Sequence, residues 1–144
     1  FQPWAIAASD GAPGVPTLVA AGANALMGIT IEAGNMVTST LPAPPLSLTF
    51  PMILRHNGEL ILADHQQNYL VRWDIKSGKP IGTIGGPGIM PGQLGYIGGL
   101  TQDSEGRIYV ADTVNRVIQR FGTDDKIDAV WTAREPGGEV GESR

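Results

Sequence analysis

The chain has 144 residues and a formal net charge of −4, from 10 Lys and Arg against 14 Asp and Glu, and it contains no Cys. This length allows one hydrophobic core, and a 42% share of hydrophobic residues is typical of a folded chain rather than a disordered one. The lack of Cys excludes disulfides, thiolate nucleophiles and Cys-bound zinc, and the acidic balance argues against binding to nucleic acid.

The part of the chain before Arg55 contains no Lys or Arg, and its acidic residues are Asp10 and Glu32. Its longest apolar run, at 17–31, is interrupted by two Gly and one Asn, so we expect no transmembrane segment. A segment this poor in charge is expected to be covered by other protein. The alternative is that it belongs to a poorly soluble, strand-rich fragment of a larger fold.

Short apolar strands follow, the first pair lying on either side of Asn57-Gly58, which is a strong hairpin signal. Four further strands are predicted at 99–102, 107–111, 117–121 and 127–131. Residues 60–62 and 108–110 are apolar at every position, which is typical of strands covered on both faces. No segment shows the helical period of 3.6 residues over as many as ten residues, so the sequence predicts no helical crossovers. The predicted fold class is therefore all-β.

The chain contains an internal repeat at a shift of 48 residues, in which 58–73 aligns without gaps with 106–121. The identical pairs are Gly58 and Gly106, Ala63 and Ala111, Asp64 and Asp112, and Arg72 and Arg120. The apolar pattern between these pairs matches at almost every position. Four-stranded antiparallel units of this length, each needing a neighbour on both faces, predict the blades of a β-propeller.

The second unit resembles an NHL repeat. The resemblance lies in a Gly-Gln-Leu start at 92–94, a turn closed by Gly106, Ile-Tyr-Val-Ala-Asp at 108–112, Asn115, and a strand that ends in Phe121. It departs from the family pattern in having Leu at position 94, Ile at position 97, and Arg116 one place early. The first unit is a more divergent copy with Trp73 in place of the Phe. The resemblance implies blades that form part of a six-bladed ring.

These patterns divide the chain into four parts. Residues 1–45 are a divergent, charge-poor candidate for a first blade, 46–97 are an NHL-like blade with its linker, 98–132 are an NHL-like blade, and 133–144 are a flexible tail. In the candidate first blade, residues 17–24 align with the Val-Ala-Asp segment, and Ala21 takes the position of the Asp.

The number of blades is too small for a closed ring, because propellers need about four to eight. An open stack leaves an apolar blade face exposed at each end. The expected partner is therefore either a set of additional propeller blades or another protein, and 144 residues are not expected to be the finished assembly.

Asp64 and Asp112 occupy the same position in the two units. Two such carboxylates could bind a cation or serve as acid and base. A residue that recurs with the repeat is more typical of a scaffold in which the carboxylate accepts hydrogen bonds from the next turn. We therefore assign a structural role to the recurring residues Gly58, Asp64, Gly106, Asp112 and Asn115.

Catalytic chemistry finds little support in the sequence. His56 and His65 lie on different loops of one unit without a third ligand, so we predict no metal site. No Ser-His-Asp set or Lys nucleophile can be assembled, and we assign no catalytic residue, metal or cofactor.

The strand aromatics are interpreted as wedges between blades, and any left exposed would anchor a protein interface. The candidate interface residues are Tyr69, Trp73, Arg116, Phe121 and Trp131. The predicted function is a non-catalytic interaction or scaffold module within a larger assembly. The alternative is part of a lactonase-like propeller hydrolase or lyase whose catalytic residues lie on other blades. The lack of Cys and the start at Phe1 favour a bacterial extracytoplasmic location.

Overall fold

The computed structural model describes residues 3–22, 25–44, 48–132 and 141–143. Within these ranges the chain forms 13 strands and no helix, and so no helix that could cross a membrane. The strands are β1 (Pro3–Ala8), β2 (Leu18–Gly22), β3 (Ala25–Glu32), β4 (Asn35–Leu41), β5 (Leu48–Leu54), β6 (Glu59–Asp64), β7 (Tyr69–Asp74), β8 (Lys79–Ile84), β9 (Ile97–Gln102), β10 (Ile108–Asp112), β11 (Val117–Phe121), β12 (Ile127–Thr132) and β13 (Gly141–Ser143).

The strands form three antiparallel sheets, each a blade in which neighbours in sequence are neighbours in space. Blade 1 contains β1–β4, blade 2 contains β5–β8, and blade 3 contains β9–β12 with β13 added to its outer edge. Local turn chemistry explains the hairpins. Gly58 has a φ of 85°, a left-handed conformation that glycine adopts without steric cost, and it closes the β5–β6 turn through a 3.0 Å hydrogen bond from its N–H to the carbonyl of Arg55.

The first strand of each blade lies on the inside of the stack, because β1 contacts β5 and β5 contacts β9. The blades therefore stand side by side in chain order with their outer strands pointing away from a common axis. We call the side of a blade that faces the preceding blade its backward face and the opposite side its forward face.

Two apolar cores lie between the blades. The first joins the forward face of blade 1 to the backward face of blade 2 and contains Val19, Leu26, Leu60, Leu62 and Trp73 among its buried residues. The second joins the forward face of blade 2 to the backward face of blade 3, with Ile61, Leu70, Ile108, Val110 and Phe121. Every residue of β6 is buried, as expected for a strand covered on both sides.

The prediction of an all-β fold made of propeller blades is confirmed, and residues 3–41 form a four-stranded first blade. One alignment within that blade is wrong. Ala21 does not take the position of Asp64. It is buried in the first core and points forward, as Ala63 does in blade 2. The alignment slipped by one residue because two residues separate β2 from β3, whereas four separate β6 from β7.

Residues 133–140 and 144 lie outside the described residues, so the predicted flexible tail is described only at 141–143. These three residues pair with β12 from Val130 to Thr132 as an additional antiparallel strand.

Candidate functional site

The edge of the blades that carries the β1–β2, β5–β6 and β9–β10 turns, here called the lower edge, contains an open cleft of about 580 Å³. The cleft lies where the three inner strands end. Nine of the ten lining residues have polar side chains, and these include carboxylates, one arginine and one imidazole. The lining residues are Asp10, Arg55, His56, Asn57, Gln102, Asp103, Ser104, Glu105, Gly106 and Thr123.

Two turns of the cleft meet through His56 and Asp10. The His56 Nδ1 and Asp10 Oδ2 atoms are 2.5 Å apart, and both side chains are largely exposed. This hydrogen bond is the main cause that lowers the pKa of Asp10 below its ordinary value. Sequence reasoning missed this pair because 46 positions separate the two residues. The available signal was that Asp10 is one of only two charged residues before Arg55.

Asp103 lies on the blade 3 side of the cleft and is held by its own hairpin. Its carboxylate accepts hydrogen bonds from the Arg107 Nε at 2.7 Å and the Tyr109 hydroxyl at 3.2 Å, as well as from the backbone of Glu105 and Arg107. Desolvation acts to raise the pKa of Asp103, but these hydrogen bonds outweigh it and the pKa is lowered. Asp103 is therefore a fixed anion at this cleft.

An ionic network of four residues connects blade 2 to blade 3 beside the cleft. Glu59 accepts hydrogen bonds from Arg55 at 3.1 Å and from Arg72 at 2.6 Å and 3.1 Å. Both arginines also reach Asp125 in the β11–β12 turn, at 2.5 Å from Arg55 and 3.5 Å from Arg72. Asp125 thus joins two blades, a role that its position in an acidic turn does not indicate.

The opposite edge, here called the upper edge, is organised by Asp112, which is 1% exposed. Its carboxylate accepts hydrogen bonds from the N–H groups of Gly95 at 2.7 Å and Tyr96 at 3.1 Å, and from the backbone and side chain of Asn115 at 3.0 Å and 2.8 Å. The Asn115 amide also donates to the carbonyl of Gly88 at 2.8 Å. Together Asp112 and Asn115 hold the linker between β8 and β9.

Asp64 makes fewer contacts at the equivalent position of blade 2. It accepts hydrogen bonds from the N–H groups of Gln66 at 2.9 Å and Gln67 at 3.0 Å, so it closes the β6–β7 turn. Gly106 closes the β9–β10 turn by donating to the carbonyl of Asp103 at 3.0 Å. In the described part of the chain, no group of three His, Asp or Glu side chains is placed to hold a metal ion.

The candidate interface residues fall into two groups. Trp73 and Phe121 are 4% and 2% exposed and fill the cores between blades, so a partner cannot reach them, and Tyr69 packs against the first core. Arg116 is exposed at the upper edge with a φ of 58°. Trp131 lies on the forward face of blade 3.

The forward face of blade 3 has no covering blade among the described residues. Strand register places Tyr109, Ala111, Ile118, Arg120 and Trp131 on it. The rings of Tyr109 and Trp131 stack at a centroid distance of 6.2 Å, the Arg120 guanidinium lies 5.4 Å from the Trp131 ring centre, and Ile118 is 41% exposed. We call this surface the blade 3 open face.

The backward face of blade 1 is the second uncovered surface of the described structure. Register places Ile6, Leu18, Met27, Ile29 and Ile31 there. Ile6 is 62% exposed and Ile31 is 53% exposed. We call this surface the blade 1 open face. Single exposed apolar residues are ordinary, but a contiguous apolar sheet face marks an interaction surface.

No protein-family model and no curated protein matches the chain. Solved structures do match it over 97% of its length. They include a streptogramin B lyase at 15% identity and a TM-score of 0.54. A catalytically inactive histidine-to-alanine variant of virginiamycin B lyase from Staphylococcus aureus with quinupristin matches at 16% and 0.52, and the selenomethionine-substituted enzyme at 19% and 0.52.

Virginiamycin B lyase is a β-propeller protein, so these matches show that the chain has a propeller fold. The chain spans about half the length of these structures, covering 53%, 51% and 54% of them.

Proposed function

We propose that the chain is a non-catalytic propeller module of the NHL type that binds protein through the blade 1 and blade 3 open faces. The observation that carries the proposal is that each end blade has an apolar face without a covering blade among the described residues. The equivalent faces inside the chain are buried between neighbouring blades. The NHL assignment rests on the motif from Gly106 to Phe121, whose Asp112 and Asn115 hold the linker to the preceding blade.

The chemistry of the two faces supports a protein partner. The blade 3 open face presents an aromatic pair with an arginine over it, and these residue types are the ones enriched at interface hot spots. The blade 1 open face is aliphatic and lies in a segment without Lys or Arg. Neither face resembles a nucleic-acid surface, which requires clustered cations.

A matched pair of variants tests the proposal. Ile118→Asp places a charge on the blade 3 open face, and Ile89→Asp places the same charge in the β8–β9 linker, where Ile89 is 84% exposed. We expect Ile118→Asp to abolish the association of the chain with its protein partner, measured by light scattering or native mass spectrometry. Ile89→Asp should leave it unchanged. Equal behaviour of the two variants would contradict the proposal.

A second candidate function is that of a propeller lyase or hydrolase. The three solved structures named above are lyases or variants of a lyase, and the lower-edge cleft brings His56, Asp10 and Asp103 to the ends of inner strands. In this alternative, catalytic residues on further blades would complete the site. Incubating the chain with quinupristin and following its consumption by chromatography tests this candidate, with His56→Ala as the control. Consumption that depends on His56 would overturn the non-catalytic proposal.

A further inference from the structure

The two open faces correspond to the two sides of a contact already present inside the chain. In the alignment of the two repeats, Tyr109, Ala111, Ile118 and Arg120 of the blade 3 open face match Ile61, Ala63, Leu70 and Arg72 of blade 2. In blade 2 these positions form the forward face, and the three apolar ones are buried against the backward face of blade 3. The blade 3 open face therefore has the position and register of a surface that receives another blade.

The blade 1 open face is the complementary side. The corresponding backward face of blade 2 presents Leu60, Leu62 and Val71, which are buried against blade 1. Leu18, Met27 and Ile29 of blade 1 lie on its backward face, are partly exposed, and have no covering blade within the described chain. A forward face and a backward face, one at each end, can pair with each other.

We propose that the occupant of both faces is a second copy of this chain. The blade 3 open face of one copy packs on the blade 1 open face of the other, and the reciprocal contact closes the pair. Three blades from each copy form a six-bladed ring, within the range of about four to eight blades in closed propellers. A head-to-tail contact that closes after two copies gives a cyclic dimer rather than an open filament.

The area of a blade face supports this occupant. Each blade has four strands of five to eight residues. At about 3.3 Å per residue and about 4.8 Å between strands, one blade face covers roughly 350 Å². Two contacts bury roughly 700 Å² per copy, near the ~800 Å² per partner of stable interfaces.

The charges of the two faces are compatible. Arg120 occupies the position of Arg72, and Arg72 contacts Asp125 in the β11–β12 turn of the next blade. In blade 1 the corresponding turn joins β3 to β4 and begins beside Glu32. Arg120 is paired with Asp128 at 2.6 Å within its own blade, as Arg72 is paired with Glu59 in blade 2. Residues 1–54 contain no Lys or Arg, so blade 1 of the other copy would offer Arg120 a further acidic residue and no cation.

This inference rests on the proposed function, because it names the partner of the same two faces. The first test is a dilution series of the unmodified chain by native mass spectrometry and light scattering. We expect a dimer at high concentration that dissociates to a monomer on dilution. A monomer at every concentration would overturn the inference and assign the faces to another chain. Larger open oligomers would also overturn it, because they exclude closure by two copies.

The second test uses Ile118→Asp and Ile6→Asp, one on each open face, with Ile89→Asp as the control. Each face variant should raise the dimer dissociation constant by about 100-fold or more, because each dimer would bury two unpaired carboxylates. Since Ile118 and Ile6 are 41% and 62% exposed, both variants should keep the melting temperature of the monomer, whereas Ile89→Asp should dimerise as the unmodified chain does.

An equimolar mixture of the two face variants distinguishes this arrangement from others. In the mixed pair both carboxylates lie in the same contact, and the other contact has no substitution. Either variant alone has no intact contact, so the mixture should recover part of the dimer through its one intact contact. Pairing of identical faces predicts that only one variant has an effect, and this result would overturn the inference. Turnover of quinupristin by a normal dimer would refute the non-catalytic function and leave the dimer intact, so the two failures are separable.

Discussion

Arg55 of blade 2 and Asp125 of blade 3 lie 2.5 Å apart, and this ion pair joins two blades across 70 positions of sequence. Glu59 lies behind the pair, 8% exposed, and accepts hydrogen bonds from Arg55 and Arg72. Because two guanidinium groups share two carboxylates beside a core, we expect the removal of one member to affect the docking of the blades as well as the local hairpin.

Replacing Glu59 with Gln should lower the free energy of unfolding by about 2 kcal/mol. Breaking a buried ion pair typically costs about 3–5 kcal/mol, and the 31% exposure of the Arg72 side chain reduces this value. Urea unfolding measures the change. Glu105→Gln is the matched control, because Glu105 is 68% exposed beside Arg107 and its loss should cost less than about 0.5 kcal/mol. Equal losses in the two variants would contradict the assigned role of Glu59.

The same network should make the chain sensitive to acid. The hydrogen bond from Arg72 is the main cause that lowers the pKa of Glu59 below its ordinary value of 4.5. The unfolded chain therefore binds a proton at this site more readily than the folded chain does. The stabilisation is complete above pH 4.5 and is lost as the pH falls through the lowered pKa of the folded state.

Unfolding midpoints measured between about pH 6 and pH 3 test this prediction. We expect the stability of the unmodified chain to decline more steeply below pH 4.5 than that of Glu59→Gln, which has no carboxylate to protonate at this position. Parallel curves for the two proteins would show that other carboxylates cause the acid sensitivity.

The two recurring aspartates should differ in their contribution to stability. Asp112→Ala leaves three backbone N–H groups and the Asn115 amide without this acceptor, and we expect it to cost about 3 kcal/mol. Asp64→Ala removes two hydrogen bonds from N–H groups of the exposed residues Gln66 and Gln67, and should cost about 1 kcal/mol. Chemical denaturation of both variants measures the difference. Equal costs would show that the linker contacts of Asp112 add nothing.

The β3–β4 turn offers a stabilising substitution. Ala33 has a φ of 48° and Gly34 a φ of 81°, the pattern of a type I′ turn, which favours Asn-Gly. Alanine rarely adopts this conformation, so Ala33→Asn should raise the free energy of unfolding by about 0.5 kcal/mol or more. Gly34→Ala, which meets no atom within 4 Å, should lower it by about 1 kcal/mol through backbone strain alone. A thermal melt of each variant compares them.

Blades 2 and 3 could be predicted from the sequence because they share one spacing. Similar residue types at equal intervals produce the same strands and the same alternation between faces. The face on which residue 61 lies therefore predicts the face on which residue 109 lies. The predicted strand at 99–102 begins at Ile97 in the structure, where an irregularity in the pairing of β9 with β10 extends it.

The contacts that the sequence could not predict join residues whose separation along the chain does not recur from blade to blade. Ala21 was misplaced because the β2–β3 connection is shorter than its counterparts. The pairs Asp10–His56 and Arg55–Asp125 form between turns of different blades, and the angle at which the sheets pack determines them. Local patterns contain no information about that angle, so the lower-edge cleft became visible only in three dimensions.

A chain whose two end faces are equivalent to the faces buried between its blades can gain or lose whole blades without requiring a new kind of contact. Joining two such coding segments in tandem would turn an association that depends on concentration into an intramolecular one, with a short connector setting the effective concentration. For the proposed dimer, gene duplication offers a direct route to a single-chain ring, and the resulting protein would no longer respond to dilution.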